Sequence, residues 1–280
     1  LLVSTDSMID SNAFQKGLKT LKDRGPDMQR IEVLSSGIMA FERLAIMGLN
    51  EEGMQPFHLK DSAVVCNGEL YGYRPLKEEL KKDYDFISDS DCELLLSLFD
   101  RYGTDMFRML DAEFALVLYD AETGSFIAGR DPIGIRPLFY GYTHNNKIAF
   151  GSLAESLMPF CTDIHPFPPG YYYKDGKFIS YAKIEETNAV MHDSLEETCS
   201  RIHDLLIDGV VKRMDADAPV GYLLSGGLDS SLVCAIAQKH SSKPIRTFAI
   251  GMDTDAIDLK YAKETADYIH SDHHEIIINK

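Results

Sequence analysis

The chain has 280 residues, 45% hydrophobic and 26% charged, a composition that can bury cores for two globular domains. Its 44 acidic residues against 28 basic ones leave a formal charge of -16. Such a surface repels nucleic acid and anionic membranes, so neither is expected as a main partner. No apolar run reaches the ~18 residues of a membrane span.

The five cysteines are scattered, odd in number and lack a C-x-x-C pair. That usage predicts reduced thiols, mostly in cores, in a cytoplasmic protein. The chain opens on Leu1-Leu2-Val3 and closes on a strand-like run, so both ends are expected to be cut.

In chain order, Phe14, Leu18 and Leu21 carry a helical spacing over 11–22, ended by Arg24-Gly25-Pro26-Asp27. Ala63 to Cys66 reads as a short buried strand running into Asn67-Gly68, a common turn pair. A helix is expected over 92–101, with Ser88 to Asp91 as N-cap candidates. Strands over 114–119, 125–130, 138–142 and 147–152 are joined by turn residues, as antiparallel hairpins require. A final hairpin over 171–181 turns at Asp175-Gly176, and Glu185 to Asn188 is the expected linker.

After the linker the pattern changes. Leu195, Cys199, Ile202, Leu206 and Val210 mark one face of a long helix. Strand 220–224, read as buried, then alternates with helix 230–239, strand 246–250, helix 259–269 and strand 274–278. That β-α-β-α-β order predicts a parallel sheet with its ligand at the C-terminal strand ends.

Leu224-Ser225-Gly226-Gly227-Leu228-Asp229-Ser230-Ser231 sits at that edge. Two glycines allow a tight turn, and the helix that follows offers unpaired N–H groups and a positive dipole end. The hydroxyls of Ser225, Ser230 and Ser231 add donors. Asp229 would repel a bare phosphate and is expected to meet it through Mg²⁺. No Lys follows the second Gly, so this is not the Walker loop. It resembles the SGGxDS loop of N-type ATP pyrophosphatases.

With Arg43-Leu44, Asn67-Gly68-Glu69, Ser90-Asp91 and the 130–138 segment Arg-Asp-Pro-Ile-Gly-Ile-Arg-Pro-Leu ahead of that loop, the whole chain resembles the glutamine-dependent asparagine synthetases. The resemblance implies mixed α/β and α+β architecture. Residues 1–188 would be a glutaminase of the N-terminal-nucleophile, αββα sandwich type, and 189–280 the start of a parallel-sheet ATP pyrophosphatase domain of the adenine nucleotide α-hydrolase-like kind. It implies that glutamine is hydrolysed to ammonia. ATP then adenylates aspartate with release of pyrophosphate, and ammonia attacks the adenylate to give asparagine and AMP.

Asn67 and Gly68 would form the oxyanion hole. Arg43, Leu44, Ala45, Ile46, Met47, Glu69 and Asp91 would complete the glutamine site, with Arg43 on the α-carboxylate and Asp91 on the α-ammonium. Leu224, Ile250 and Gly251 would contact the nucleotide beside Ser225 to Ser231, and Asp229 would hold Mg²⁺. Family members are often dimers, which makes a homodimer an expectation by analogy. The family's nucleophile is an N-terminal Cys with its own α-amine as base, whereas residue 1 here is Leu. Cys66 is expected to be a buried, inert thiol. Two other readings stay open: an amidotransferase acting on another carboxylate, and a non-catalytic glutamine- or nucleotide-binding protein.

Overall fold

Val3, Met39 and Phe41 from one sheet meet Ala63, Val65, Ala115, Val117 and Ala128 from another in a single core. Within each strand these residues are two apart, the period at which a strand shows one face. The computed structural model describes residues 1–186, 190–252 and 257–279. The chain divides into two units, Leu1–Ala189 and Val190–Lys280. Of the expected linker, Thr187 and Asn188 lie outside the described residues.

The first unit opens with β1 (Leu2–Ser4), α1 (Ser11–Lys19), β2 (Met28–Leu34) and β3 (Gly37–Arg43). It continues through β4 (Phe57–Leu59), β5 (Ser62–Leu70), α2 (Tyr73–Leu80) and α3 (Leu94–Tyr102). Then come β6 (Ala112–Asp120), β7 (Ser125–Arg130), β8 (Phe139–Thr143), β9 (Ile148–Gly151), α4 (Ala154–Leu157), β10 (Cys161–Pro166), β11 (Tyr171–Lys174) and β12 (Lys177–Ser180). One six-stranded sheet has the order β10-β8-β9-β1-β3-β2 and the other β12-β11-β7-β6-β5-β4, and their strand pairs are antiparallel. Phe14, Leu18 and Leu157 of α1 and α4 cover the outer face of the first sheet at Leu2, Ala40 and Ala149. The helix α3 packs on β4 and β5 of the second. The unit is an αββα sandwich.

The Asn67-Gly68 pair is not a turn. It lies inside β5, opposite Ala115 and Phe114 of β6. Nor does a side chain of 88–91 cap α3: the N-cap is Glu93, without a side-chain bond, while Ser88 Oγ accepts the Ser90 N–H and Asp91 accepts the Leu70 N–H at the end of β5.

The second unit holds α5 (Leu195–Lys212), β13 (Gly221–Leu223), α6 (Leu228–His240), β14 (Arg246–Met252), α7 (Ile257–Ile269) and β15 (Asp272–Ile278). Its three strands are parallel in the order β13-β14-β15. Leu224, Cys234, Ala237, Ile245, Ala249, Ala262 and Ala266 form its core. Ser194 and Glu197 make a reciprocal capping box at the start of α5. Two expectations fail here. The apolar run of 220–224 is not a fully buried strand, because Leu223 is 82% exposed and only Leu224 is buried, with Tyr222 packing partly on the core. The apolar face of α5 carries no buried residue, and Val210 alone of its five packs partly on the core.

Candidate functional site

A cavity of about 390 Å³ in the first unit is walled by the C-terminal end of β3, the second half of β5 and the turn before α3. Of the residues expected at a glutamine site, Arg43, Leu44, Ile46, Met47, Asn67, Gly68, Glu69 and Asp91 line it. Ala45 does not; its N–H donates to Asp27 Oδ2 at 2.8 Å, which ties the 43–47 loop to the Arg24–Asp27 turn.

Arg43 ends β3 and is buried. Its Nη1 donates to the Asn50 carbonyl at 2.7 Å and its Nη2 to the carbonyls of Met47 at 3.1 Å and Gly48. Burial lowers its pKa, so a carboxylate in the cavity would be a welcome counter-charge. Asp91 is buried as well, and burial pushes its carboxyl up, opposed by the Leu70 N–H that its Oδ2 accepts at 2.7 Å. A buried cation and a buried carboxylate in one cavity suit a zwitterion.

In the same cavity wall, Asn67 Nδ2 is buried with no hydrogen-bond partner. Such an orphan costs on the order of 1–3 kcal/mol, and a bound oxygen would relieve it. Gly68 must be Gly: a Cβ there would lie 2.5 Å from the Glu113 carbonyl and 2.9 Å from Phe114 Cα.

Sequence reasoning missed further wall residues. Gln55, Cys92 and Arg136 line the cavity, as do Cys66, Glu42, Ser152 and Leu1. Cys66 is buried, as expected, but its place is the cavity wall rather than the core alone. Cys92 is held well above the ordinary thiol range by the Cys66 thiol beside it and by burial. Arg136 was visible only as part of a Gly-Ile-Arg-Pro segment, with nothing to say which wall it would reach.

The second unit carries the Gly-rich loop between β13 and α6. Gly226 has φ +77°, and a Cβ there would lie 2.5 Å from the backbone of Tyr261 and Ala262. Ser225 Oγ and Ser230 Oγ are 3.0 Å apart, and the Ser225 N–H donates to Ser230 Oγ at 3.3 Å. Gly227 caps α6 without a side-chain bond, leaving the first N–H groups of a 13-residue helix to a ligand. The loop is exposed, as are Leu228, Asp229 and Ile250; Leu224 is buried beneath it. Hydroxyls and bare N–H groups converging on a glycine turn fit a polyphosphate. Asp229, in the first turn of α6, is the acidic group at hand for a divalent cation.

Two family profiles and several curated proteins match the chain. A family profile for the glutamine amidotransferase domain matches residues 3–170, and one for asparagine synthase matches residues 201–280. The chain is 40% identical over 281 residues to a probable glutamine-hydrolysing asparagine synthetase of Dictyostelium discoideum, covering 91% of this chain and 50% of that protein. It is 34% identical over 277 residues to asparagine synthetase B of Escherichia coli strain K12, covering 92% of this chain and 49% of the relative. The chain thus spans about half the length of the curated relatives it matches. Among solved structures, glutamine phosphoribosylpyrophosphate amidotransferase from B. subtilis aligns with TM-score 0.54 at 16% identity, over 98% of this chain and 65% of that one, a likeness of fold. This chain belongs to the glutamine amidotransferase family, in the branch where an asparagine synthase domain follows the amidotransferase domain.

Proposed function

We propose that this chain is the glutaminase domain and the beginning of the synthetase domain of a glutamine-dependent asparagine synthetase. In this reading Leu1–Ala189 hydrolyses glutamine, and the unit from Val190 onward grips ATP. The observation that carries it is the unpartnered Asn67 amide, placed in one cavity with Arg43 and Asp91.

Glutamine enters with its α-carboxylate on Arg43 and its α-ammonium on Asp91, with Glu69 near. Its side-chain carbonyl lies against Asn67 Nδ2 and the Gly68 N–H, which stabilise the oxyanion as charge develops there. The reading requires a thiol nucleophile with a free α-amine as base. The Leu1 nitrogen lies in the cavity wall, donating to Ser152 Oγ at 3.0 Å. Cys66 has no amine beside it in sequence and is not the nucleophile in this account.

The Ser225 to Ser231 loop holds the pyrophosphate leaving group of ATP, with Leu224 and Ile250 toward the adenine, Gly251 close by and Asp229 on Mg²⁺. When bound, ATP-Mg²⁺ supplies the activation that turns a carboxylate into an electrophile, and this chain's residues orient and neutralise the phosphates. Aspartate is the acceptor in this reading.

The test is heavy-nitrogen transfer in the full-length protein. Glutamine labelled in its amide, with aspartate and ATP-Mg²⁺, should give labelled asparagine, AMP and pyrophosphate. Glutamate release without aspartate-dependent AMP would assign the second half to another acceptor.

A further inference from the structure

Glu69 and Glu113 are direct cross-strand partners in the β5–β6 pair. Two carboxylates opposite each other in a sheet repel, and such pairs are destabilising by themselves. Arg136 resolves the clash: its Nη2 lies 2.9 Å from Glu69 Oε1 and 2.6 Å from Glu113 Oε1. The three side chains are 24%, 16% and 24% exposed for Glu69, Glu113 and Arg136, so water screens them only in part.

The segment that delivers Arg136 is built to hold it still. Asp131 Oδ1 accepts the N–H groups of Ile133 at 3.1 Å, Gly134 at 2.6 Å and Ile135 at 3.0 Å, and its Oδ2 accepts that of Arg136 at 3.1 Å. From the other side, Arg130 donates to the carbonyls of Gly134 and Arg136, both at 2.8 Å. This loop fixes the Arg136 backbone and sends one guanidinium to the cavity wall, where its Nε is buried without a partner.

Glu69 faces Arg136, Glu113, Asp91 and the Cys92 thiol. Burial pushes its carboxyl up, Arg136 opposes that most strongly, and Glu113 and Asp91 add to the rise. Arg136 is therefore the group that most favours the charged form of Glu69.

We propose that Arg136 is a positioning residue for glutamine recognition: bridging Glu69 and Glu113, it keeps the Glu69 carboxylate available in the cavity that holds Asp91, so that the two acids together receive the α-ammonium group. The inference rests on the glutamine reading above. It adds a residue that need not touch the substrate, and it makes Glu113 its antagonist.

The experiment is the pH dependence of kcat/KM for glutamine hydrolysis by the full-length protein and three variants. Arg136→Gln should raise KM by about tenfold with kcat within about twofold, the mark of lost ground-state binding. Its acid limb should move to higher pH, because Glu69 protonates earlier. Arg136→Lys should recover part of the loss. Glu113→Gln should move the acid limb the opposite way, to lower pH. The Glu69 carboxyl resonance, titrated by NMR in the same proteins, reads the same two opposite shifts without turnover. An inactive wild type would thus refute the glutaminase reading alone. Acid limbs and Glu69 titrations that stay in place, or move the same way in both variants, would overturn the role of Arg136.

Discussion

Gln55 clasps the backbone of Cys66: its Oε1 accepts the Cys66 N–H at 2.6 Å and its Nε2 donates to the Cys66 carbonyl at 3.1 Å. The edge strand β4 pairs with β5 only from Ser62 to Val64, so the Gln55 amide continues the ladder where that strand stops. The next residue is Asn67. Gln55→Ala would strand two buried backbone groups and cost about 2–5 kcal/mol, read as a loss of urea-unfolding free energy. Asn67 would lose its fixed position with it.

Asp91 predicts a trade between stability and binding. Burial raises its folded pKa above that of the unfolded chain, so the ionised form weighs against folding. That deficit is fully present above the folded pKa and vanishes as pH falls below the ordinary carboxylate range. Asp91→Asn, which still offers an oxygen to the Leu70 N–H, should raise the melting temperature at neutral pH, with the gain closing on acidification. The same variant should bind glutamine about 10- to 100-fold more weakly, through loss of a charge-assisted hydrogen bond. Melting curves at neutral and acid pH check the first half, and titration with glutamine the second.

Gly226 carries the left-handed turn of the Gly-rich loop. An alanine methyl would meet the backbone of Tyr261 and Ala262 at 2.5 Å in a conformation that already disfavours a side chain. Gly226→Ala should cost about 1–3 kcal/mol and lower ATP affinity. Gly227→Ala is the control, since the nearest atom to its Cβ would be Ser225 Oγ at 3.5 Å. Comparing the melting temperatures of the two variants separates turn geometry from mere loss of glycine.

The strand-turn-helix around Ser225 to Ser231 and the antiparallel hairpins are legible in the sequence, because they rest on local glycine spacing and period-two apolarity. Asn67-Gly68 misleads for the same reason: the pair is a strong turn signal, yet Gly68 is needed for the close approach of β6. The 195–210 periodicity marks a helix correctly and its burial wrongly, since periodicity reports an apolar face but not what covers it. Gln55 and Glu113 escape altogether, and Arg136 shows only as part of the 130–138 segment. They reach the site through strand register and a loop held by Asp131, and no spacing along the chain announces that meeting.

The first unit's cavity is expected to take glutamine with its α-carboxylate on Arg43 and its α-ammonium on Asp91. Calorimetric titration of L-glutamine into the protein tests it most directly, beside Arg43→Met and the deaminated analogue that lacks the α-ammonium. The account predicts saturable binding at one site, weakened about 10-fold or more by either change. No binding by the parent protein, or equal binding of glutamine by the Arg43 variant, would contradict it.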